Sequence, residues 1–363
     1  MRYPRLLFIC LFALAVSCSD GRYQRDFTFS KVEIVPLIED LNLSVRALEV
    51  GKDYLFYGSK DHLGRVALNR NLKLSSSHSS PIEDLNHFKN IMTHNNEPLH
   101  FRAIAEVKGD FFGISIGNPA RLYRLPKKGN KAELVYEEIH ESVFYDSMAF
   151  WNNKEGLAIG DPTEECMSII ITRDSGKTWN KVPCEKLPVA LDGEAAFAAS
   201  DTNIAIVGEN TWIATGGLHS RVLYSGDKGR TWDINDVPII QGKSTTGLYS
   251  IDFYNKNIGF GIGGDYTQPN DSLSNKIKTI DGGQTWNAIA DGQSPGYRSC
   301  VQFIPNSEGE ELVAVGYKGI DYSKDSGQSW AHLSDEGFYT IRFINDTMAF
   351  AGGRGRICKL VFR

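Results

Sequence analysis

The 363-residue chain has no apolar run long enough to cross a membrane as a helix. Its longest, Leu6 to Val16, is eleven residues, against the roughly 20 that a spanning helix needs. A long basic run or basic–aromatic stripe is also missing, and the net charge is -5, which argues against a nucleic-acid partner. Cysteine is scarce, with six in all, and the spacings of Cys166, Cys184, Cys300 and Cys358 match no zinc or redox motif. There is no P-loop and no nucleophile elbow. Gly259-Phe260-Gly261-Ile262-Gly263-Gly264 is glycine-rich, but it runs into Asp265-Tyr266 rather than a helix, which excludes a dinucleotide fingerprint. No cofactor and no metal are therefore expected.

What the chain does have is glycine and aromatics: 35 Gly, 19 Phe, 15 Tyr and 6 Trp. That balance favours all-β structure, where turns need glycine and sheets take aromatic side chains. At the N-terminus, Arg2 and Arg5 precede the short apolar run, as in a secretory signal. The run ends in Ala15-Val16-Ser17-Cys18, which resembles a lipobox; the alternative is an ordinary signal peptide with an incidental cysteine. Residues 1–18 then form a lipoprotein signal ending at a lipidated Cys18, and Ser19 to Asp26 a short tether. The expectation is an exported protein, tied to a bacterial membrane by its lipid alone.

Four segments repeat the pattern Ser/Thr-x-Asp-x-Gly-x-Ser/Thr-Trp. They carry Asp174, Gly176 and Trp179; Asp227, Gly229 and Trp232; Asp281, Gly283 and Trp286; and Asp325, Gly327 and Trp330. Each reads as a hairpin tip: the carboxylate folds back onto turn N–H groups, glycine takes positive φ, and the indole wedges between sheets. Their spacing suits one four-stranded propeller blade per repeat. Seven short apolar strands ending in glycine count the blades: those ending at Gly58, Gly117, Gly160, Gly216, Gly263, Gly316 and Gly352. The C-terminus stops one strand short, and the alternating stretch Phe27 to Leu37 can supply that strand beside Ile357 to Phe362, removing an open edge. The fold class is thus all-β, a seven-bladed propeller over residues 27–363, monomeric, with one long polar insertion from Ser75 to Leu99.

The boxes resemble the Asp-box, or bacterial neuraminidase repeat. The blade phrases resemble the Ycf48-like family of photosystem II assembly factors and bacterial exported proteins. The phrases are Gly160-Asp161-Pro162, Gly193-Glu194-Ala195-Ala196-Phe197-Ala198-Ala199-Ser200, Gly263-Gly264-Asp265-Tyr266 and Gly296-Tyr297-Arg298-Ser299-Cys300. The resemblance implies a seven-bladed fold and a protein-binding assembly role rather than catalysis.

Ligand sites on such discs lie around the channel, on the face opposite the box tips. That face collects residues entering each inner strand and following each repeated glycine. Candidates are His100, Arg102, Asn118, Tyr145, Asp146, Asp161, Glu164, Glu165, Glu194, His219, Asp265, Tyr266, Tyr297, Arg298, Tyr339, Arg354 and Arg356. Arg298 beside Tyr297 is the preferred binding residue, because a guanidinium stacks on aromatics and grips carboxylates. The alternative is a glycoside hydrolase, with Asp161, Glu194 and Asp265 flanking a glycosidic bond. A sialidase is disfavoured, since Tyr123-Arg124 falls on a third strand and no arginine triad is evident. His62, His78, His87 and His94 read as solvated loop residues. Pairing Thr172 with Thr178 sets a hairpin register that places Cys166 opposite Cys184, so these two should form a disulfide, leaving Cys300 and Cys358 as buried thiols. The expected function is a non-enzymatic envelope scaffold engaging a protein or glycan at the channel mouth.

Overall fold

The computed structural model describes residues 28–68, 87–128 and 131–363. Cys18, the tether, His78 and residues 75–86 of the polar insertion lie outside the described residues. The chain forms seven antiparallel blades. In blade 3 the strands Tyr145–Phe150, Gly156–Gly160, Ser168–Thr172 and Asn180–Lys181 follow one another from the axis outward. The seven innermost strands are Ala47–Val50, Phe101–Val107, Tyr145–Phe150, Ile204–Val207, Thr246–Phe253, Cys300–Phe303 and Thr340–Phe343. They touch one another around the ring. Each is followed by one of the glycine-ended strands, as their order in the sequence implies.

Blade 7 closes the ring. The segment Met348–Phe362 folds back on itself, with the Phe362 N–H donating to the Thr347 carbonyl at 2.8 Å and Gly355 at φ +75° in the bend. Its first arm pairs with Thr340–Phe343 and its second with Val32–Ser44, in the register Val32 to Phe362 through Pro36 to Cys358. The expected closing strand is therefore present, and it continues past Leu37 to Ser44 through two register shifts. Pro36 is tolerated because this strand is the blade's outer edge and one of its sides needs no donor.

The boxes glue each blade to the one before it. Trp179 packs on Phe112 of blade 2 and Trp330 on Phe260 of blade 5, while Trp286 packs on Phe253 of its own blade, which in turn stacks on Trp212 of blade 4. Trp232 joins a cluster with Leu157 and Ile159 of blade 3. In every box the glycine has positive φ, from +74° at Gly229 to +85° at Gly327, and a Cβ there would press on the preceding blade. The carboxylates do what a hairpin tip requires: Asp227 accepts from Ser225 Oγ, the Arg230 and Thr231 N–H groups and Thr231 Oγ1.

Cys166 and Cys184 are bridged, with Cα atoms 5.5 Å apart, and Cys300 and Cys358 are buried free thiols. The route differs from the expected one. Ile171 stands opposite Asn180 and Ile170 opposite Lys181, one residue off the predicted register, and the ladder ends at Lys181. Pro183 has no N–H to extend it and instead opens a short 3₁₀ turn, Cys184–Lys186, that brings Cys184 back to Cys166. The histidine reading also needs correction. His62 is buried, with Nε2 3.0 Å from the Tyr57 hydroxyl and Nδ1 2.6 Å from Asp61. His87 contacts the same hydroxyl from the blade's outer strand. Burial lowers the pKa of both rings.

Candidate functional site

The turns between first and second and between third and fourth strands share one face, that of the box tips. Loops after the second strands, and connections between blades, share the other. Glu194, Asp265, Tyr297 and Arg298 all belong to this second group.

The channel is not open. The segment Ala198–Thr202, leading into blade 4, crosses it and is bonded to every other blade. The Asp201 carboxylate accepts the N–H groups of Ile104 (3.0 Å) and Met148 (3.1 Å), from blades 2 and 3. Ser200 Oγ donates to the Ser299 carbonyl of blade 6, and the Ser200 carbonyl accepts from Thr340 Oγ1 of blade 7. The Ile251 N–H of blade 5 donates to Thr202, and Arg46, entering blade 1, reaches the Ala199 carbonyl at 3.4 Å. Small side chains make this fit; in the sequence the phrase Ala195 to Ser200 marks it, though only as a motif.

Above this plug lies a cavity of about 270 Å³, lined by Arg46, Arg102, Phe197, Tyr249, Tyr266, Tyr297, Tyr317 and Tyr339. Phe197 stacks on Tyr249 with ring centres 3.9 Å apart, and Tyr297 stands edge-on to Tyr249 at 4.8 Å. The Tyr317 hydroxyl donates to the Tyr266 carbonyl at 2.6 Å, linking blades 5 and 6 across the rim. At the cavity's other side the Arg46 guanidinium lies 4.1 Å from the centre of the Tyr339 ring, and its buried Nε has no hydrogen-bond partner. Arg102 Nε lies 3.3 Å from His100 Nε2. Among the described residues neither arginine has an ion-pair partner. Burial and the neighbouring Arg46 charge lower the Arg102 pKa to about 10, and burial with the Arg102 charge lowers that of His100 to about 4. The floor thus carries two cations with no ion pair, and the buried Asp146 acts on Arg102 only from beyond ion-pair distance.

Local backbone geometry aims these side chains. The first strands of blades 2, 3 and 5 each shift register by one residue near their start, skipping Arg102, Asp146 and Tyr249. Such bulges re-aim the extra residue, here toward the axis. Arg102 and Tyr249 reach the cavity. Asp146 is fully buried, where burial and the neighbouring Asp161 raise its pKa far above the carboxylate range. Burial raises Asp161 to about 6, opposed by the Ala196 N–H that it accepts at 2.8 Å.

Several expected candidates are occupied elsewhere. Arg298 is 5% exposed, with Nε 2.6 Å from Asp321 and Nη1 donating to its neighbour's carbonyl, so it braces the rim while Tyr297 faces the cavity. Glu194 is held by Arg221, Thr215 Oγ1 and the Leu191 N–H. Asp265 takes the N–H and hydroxyl of Thr267, which outweigh burial and lower its pKa. Neither these two nor Asp161 lines the cavity. Tyr145 donates to Glu138, Arg356 pairs with Glu336, and Arg124 pairs with Asp110 from its third-strand position. Of the expected residues Arg102, Tyr266, Tyr297 and Tyr339 converge. Arg46, Phe197, Tyr249 and Tyr317 were missed, although Tyr317 directly follows the repeated Gly316.

No family model matches the chain, and no curated protein matches its sequence. Among solved structures it is similar to YCF48 bound to D1 peptide, with TM-score 0.61 and 13% identity over 93% of this chain and 96% of that one. The chain has a Ycf48-like fold. YCF48 from Cyanidioschyzon merolae gives TM-score 0.58 at 10% identity, over 92% of this chain and 98% of that one. U3-55K gives 0.57 at 11%, over 91% and 98%. At these identities the likeness speaks for architecture alone.

Proposed function

We propose that the protein is a non-enzymatic binding scaffold that receives a segment of another protein at this mouth. The ligand's carboxylate, an acidic side chain or a chain end, sits over Arg46 and Arg102 while apolar groups pack on the tyrosines. The observation that carries this reading is the pair of arginines without carboxylate partners at the floor of an aromatic-walled cavity. Guanidinium groups grip carboxylates bidentately, and burial strengthens the contact. That a protein of the same architecture has been seen with a peptide bound supports a polypeptide ligand. The glycoside hydrolase reading lacks what it needs here, because none of Asp161, Glu194 and Asp265 opens onto the cavity.

A fluorescent acidic peptide, prepared with a free C-terminal carboxylate and as its amide, tests the proposal by polarisation. Arg46→Ala and Arg102→Ala should each weaken binding about tenfold or more, the scale of a lost charged hydrogen bond. Neither His100, neutral above about pH 4, nor Arg102, charged below about pH 10, should change the affinity between about pH 5 and 9, so any drift there reports Asp161 and Asp201 ionising at about 6 and 8. Peptide affinity unchanged by both substitutions would sink the reading. The N-terminal pattern supports export and lipid attachment at Cys18, which fatty-acid labelling checks: the label should vanish in Cys18→Ser.

A further inference from the structure

A second concavity lies on the opposite face, between blades 4 and 5 at the box tips. Its volume of about 770 Å³ falls within the usual range for ligand sites. One wall is Tyr224, from the third strand of blade 4, and Trp232, at the end of its box, with Asn235 of the fourth strand beyond them. The other is Lys256 and Asn257, from a blade 5 turn, with Gln284 of the box.

Three features set this junction apart from its counterparts. First, the box indoles of Trp179 and Trp330 donate to their own box glycines, Gly176 and Gly327. That of Trp232, which lines the groove, is buried with no partner, as is that of Trp286 in the core behind it. Second, the residue after the box aspartate is Ser175, Lys228 or Ser326 elsewhere, but Gly282 here. It lies at φ +78°, its carbonyl accepts the Trp212 indole N–H, and a Cβ would stand 2.8 Å from the Lys256 carbonyl. Without a side chain at 282 the groove stays open. Third, the side chains of Asn235, Lys256, Asn257 and Gln284 make no hydrogen bond or ion pair among the described residues. Two planar amides, Asn257 and Gln284, therefore face the aromatic wall, and a third, Asn235, stands beside it, each able to donate and accept at once.

That combination suits a ligand with an apolar face and a rim of hydroxyls. Charge narrows it further. The Asp281 carboxylate is already taken by Thr279 and Thr285, and Lys256 faces Asp233 across the groove's lining, so neither sign dominates. We propose that the groove is a second binding site, independent of the mouth, and that its ligand is a neutral oligosaccharide. One sugar ring lies against the Trp232 wall, and its hydroxyls bond the amides of Asn235, Asn257 and Gln284.

The test is calorimetric titration of the protein with cellohexaose, maltohexaose and hexa-N-acetylchitohexaose. It is paired with spectra of the tryptophan indole N–H resonances, the Trp232 signal being assigned with Trp232→Phe. At least one sugar should bind at millimolar or tighter concentration and shift the Trp232 resonance. The double variant Asn235→Ala with Gln284→Ala should weaken that binding about tenfold, the loss expected from two hydrogen bonds. No heat from any of the three sugars at 10 mM, a concentration on the order of the weakest useful affinity, overturns the proposal. So does binding that the double variant leaves unchanged or that leaves the Trp232 signal in place. The peptide experiment reads Arg46 and Arg102 instead, so either site can fail without the other.

Discussion

Asp201 and Asp227 carry the same carboxyl, and their surroundings give it opposite roles. Asp227 stands at a box tip, where its four hydrogen bonds outweigh burial and hold its pKa at about 2. Its contribution is present above about pH 4, the unfolded value, and is lost as the pH falls toward 2. Asp201 is buried in the plug, and burial raises its pKa to about 8 although it accepts two backbone N–H groups. A raised carboxyl works the other way, so its contribution declines as the pH climbs from about 4 to 8. Asp201→Ala leaves the Ile104 and Met148 donors buried without partners, which should cost about 2–5 kcal/mol on denaturant unfolding. A loss below about 0.5 kcal/mol, the usual size of a neutral surface change, would mean that the plug is not held through this side chain.

Among the elements, the blade 3 hairpin shows how far local pattern carries. Box, turn and cysteine pair were all legible, yet the ladder runs one residue out of the expected register and stops at Lys181. The disulfide forms through the 3₁₀ turn after Pro183 rather than across paired strands. It closes a loop with a sequence separation of 18. A loop of that size is worth about 3 kcal/mol by chain entropy. Cys184→Ser should lower stability by about that amount in oxidised protein and by almost nothing once the wild type is reduced. Equal stability of the two oxidised proteins would show that the turn holds itself. The inner strands of blades 2, 3 and 5 teach the same lesson. The bulges at Arg102, Asp146 and Tyr249 were not legible, because an extra residue leaves the hydrophobic pattern almost intact while turning one side chain.

At the level of the whole ring, the sequence by itself determined the blade count, the box tips, the closing strand and the face on which a mouth would form. Each of these rests on short-range rules repeated along the chain: glycine where φ is positive, aspartate where turn donors need an acceptor, alternation where one face is buried. The tertiary structure alone decided which side chains share the cavity. Arg46 and Tyr317 lie 271 positions apart in numbering and meet only because the ring closes on the N-terminal strand. It also decided that Arg298 and Glu194 turn inward to Asp321 and Arg221, since a buried charge must take the nearest partner the fold supplies. The plug belongs to the same class. Ala198 to Thr202 carries no long apolar or charged signature, and its role arises only where six other blades present donors and acceptors to it.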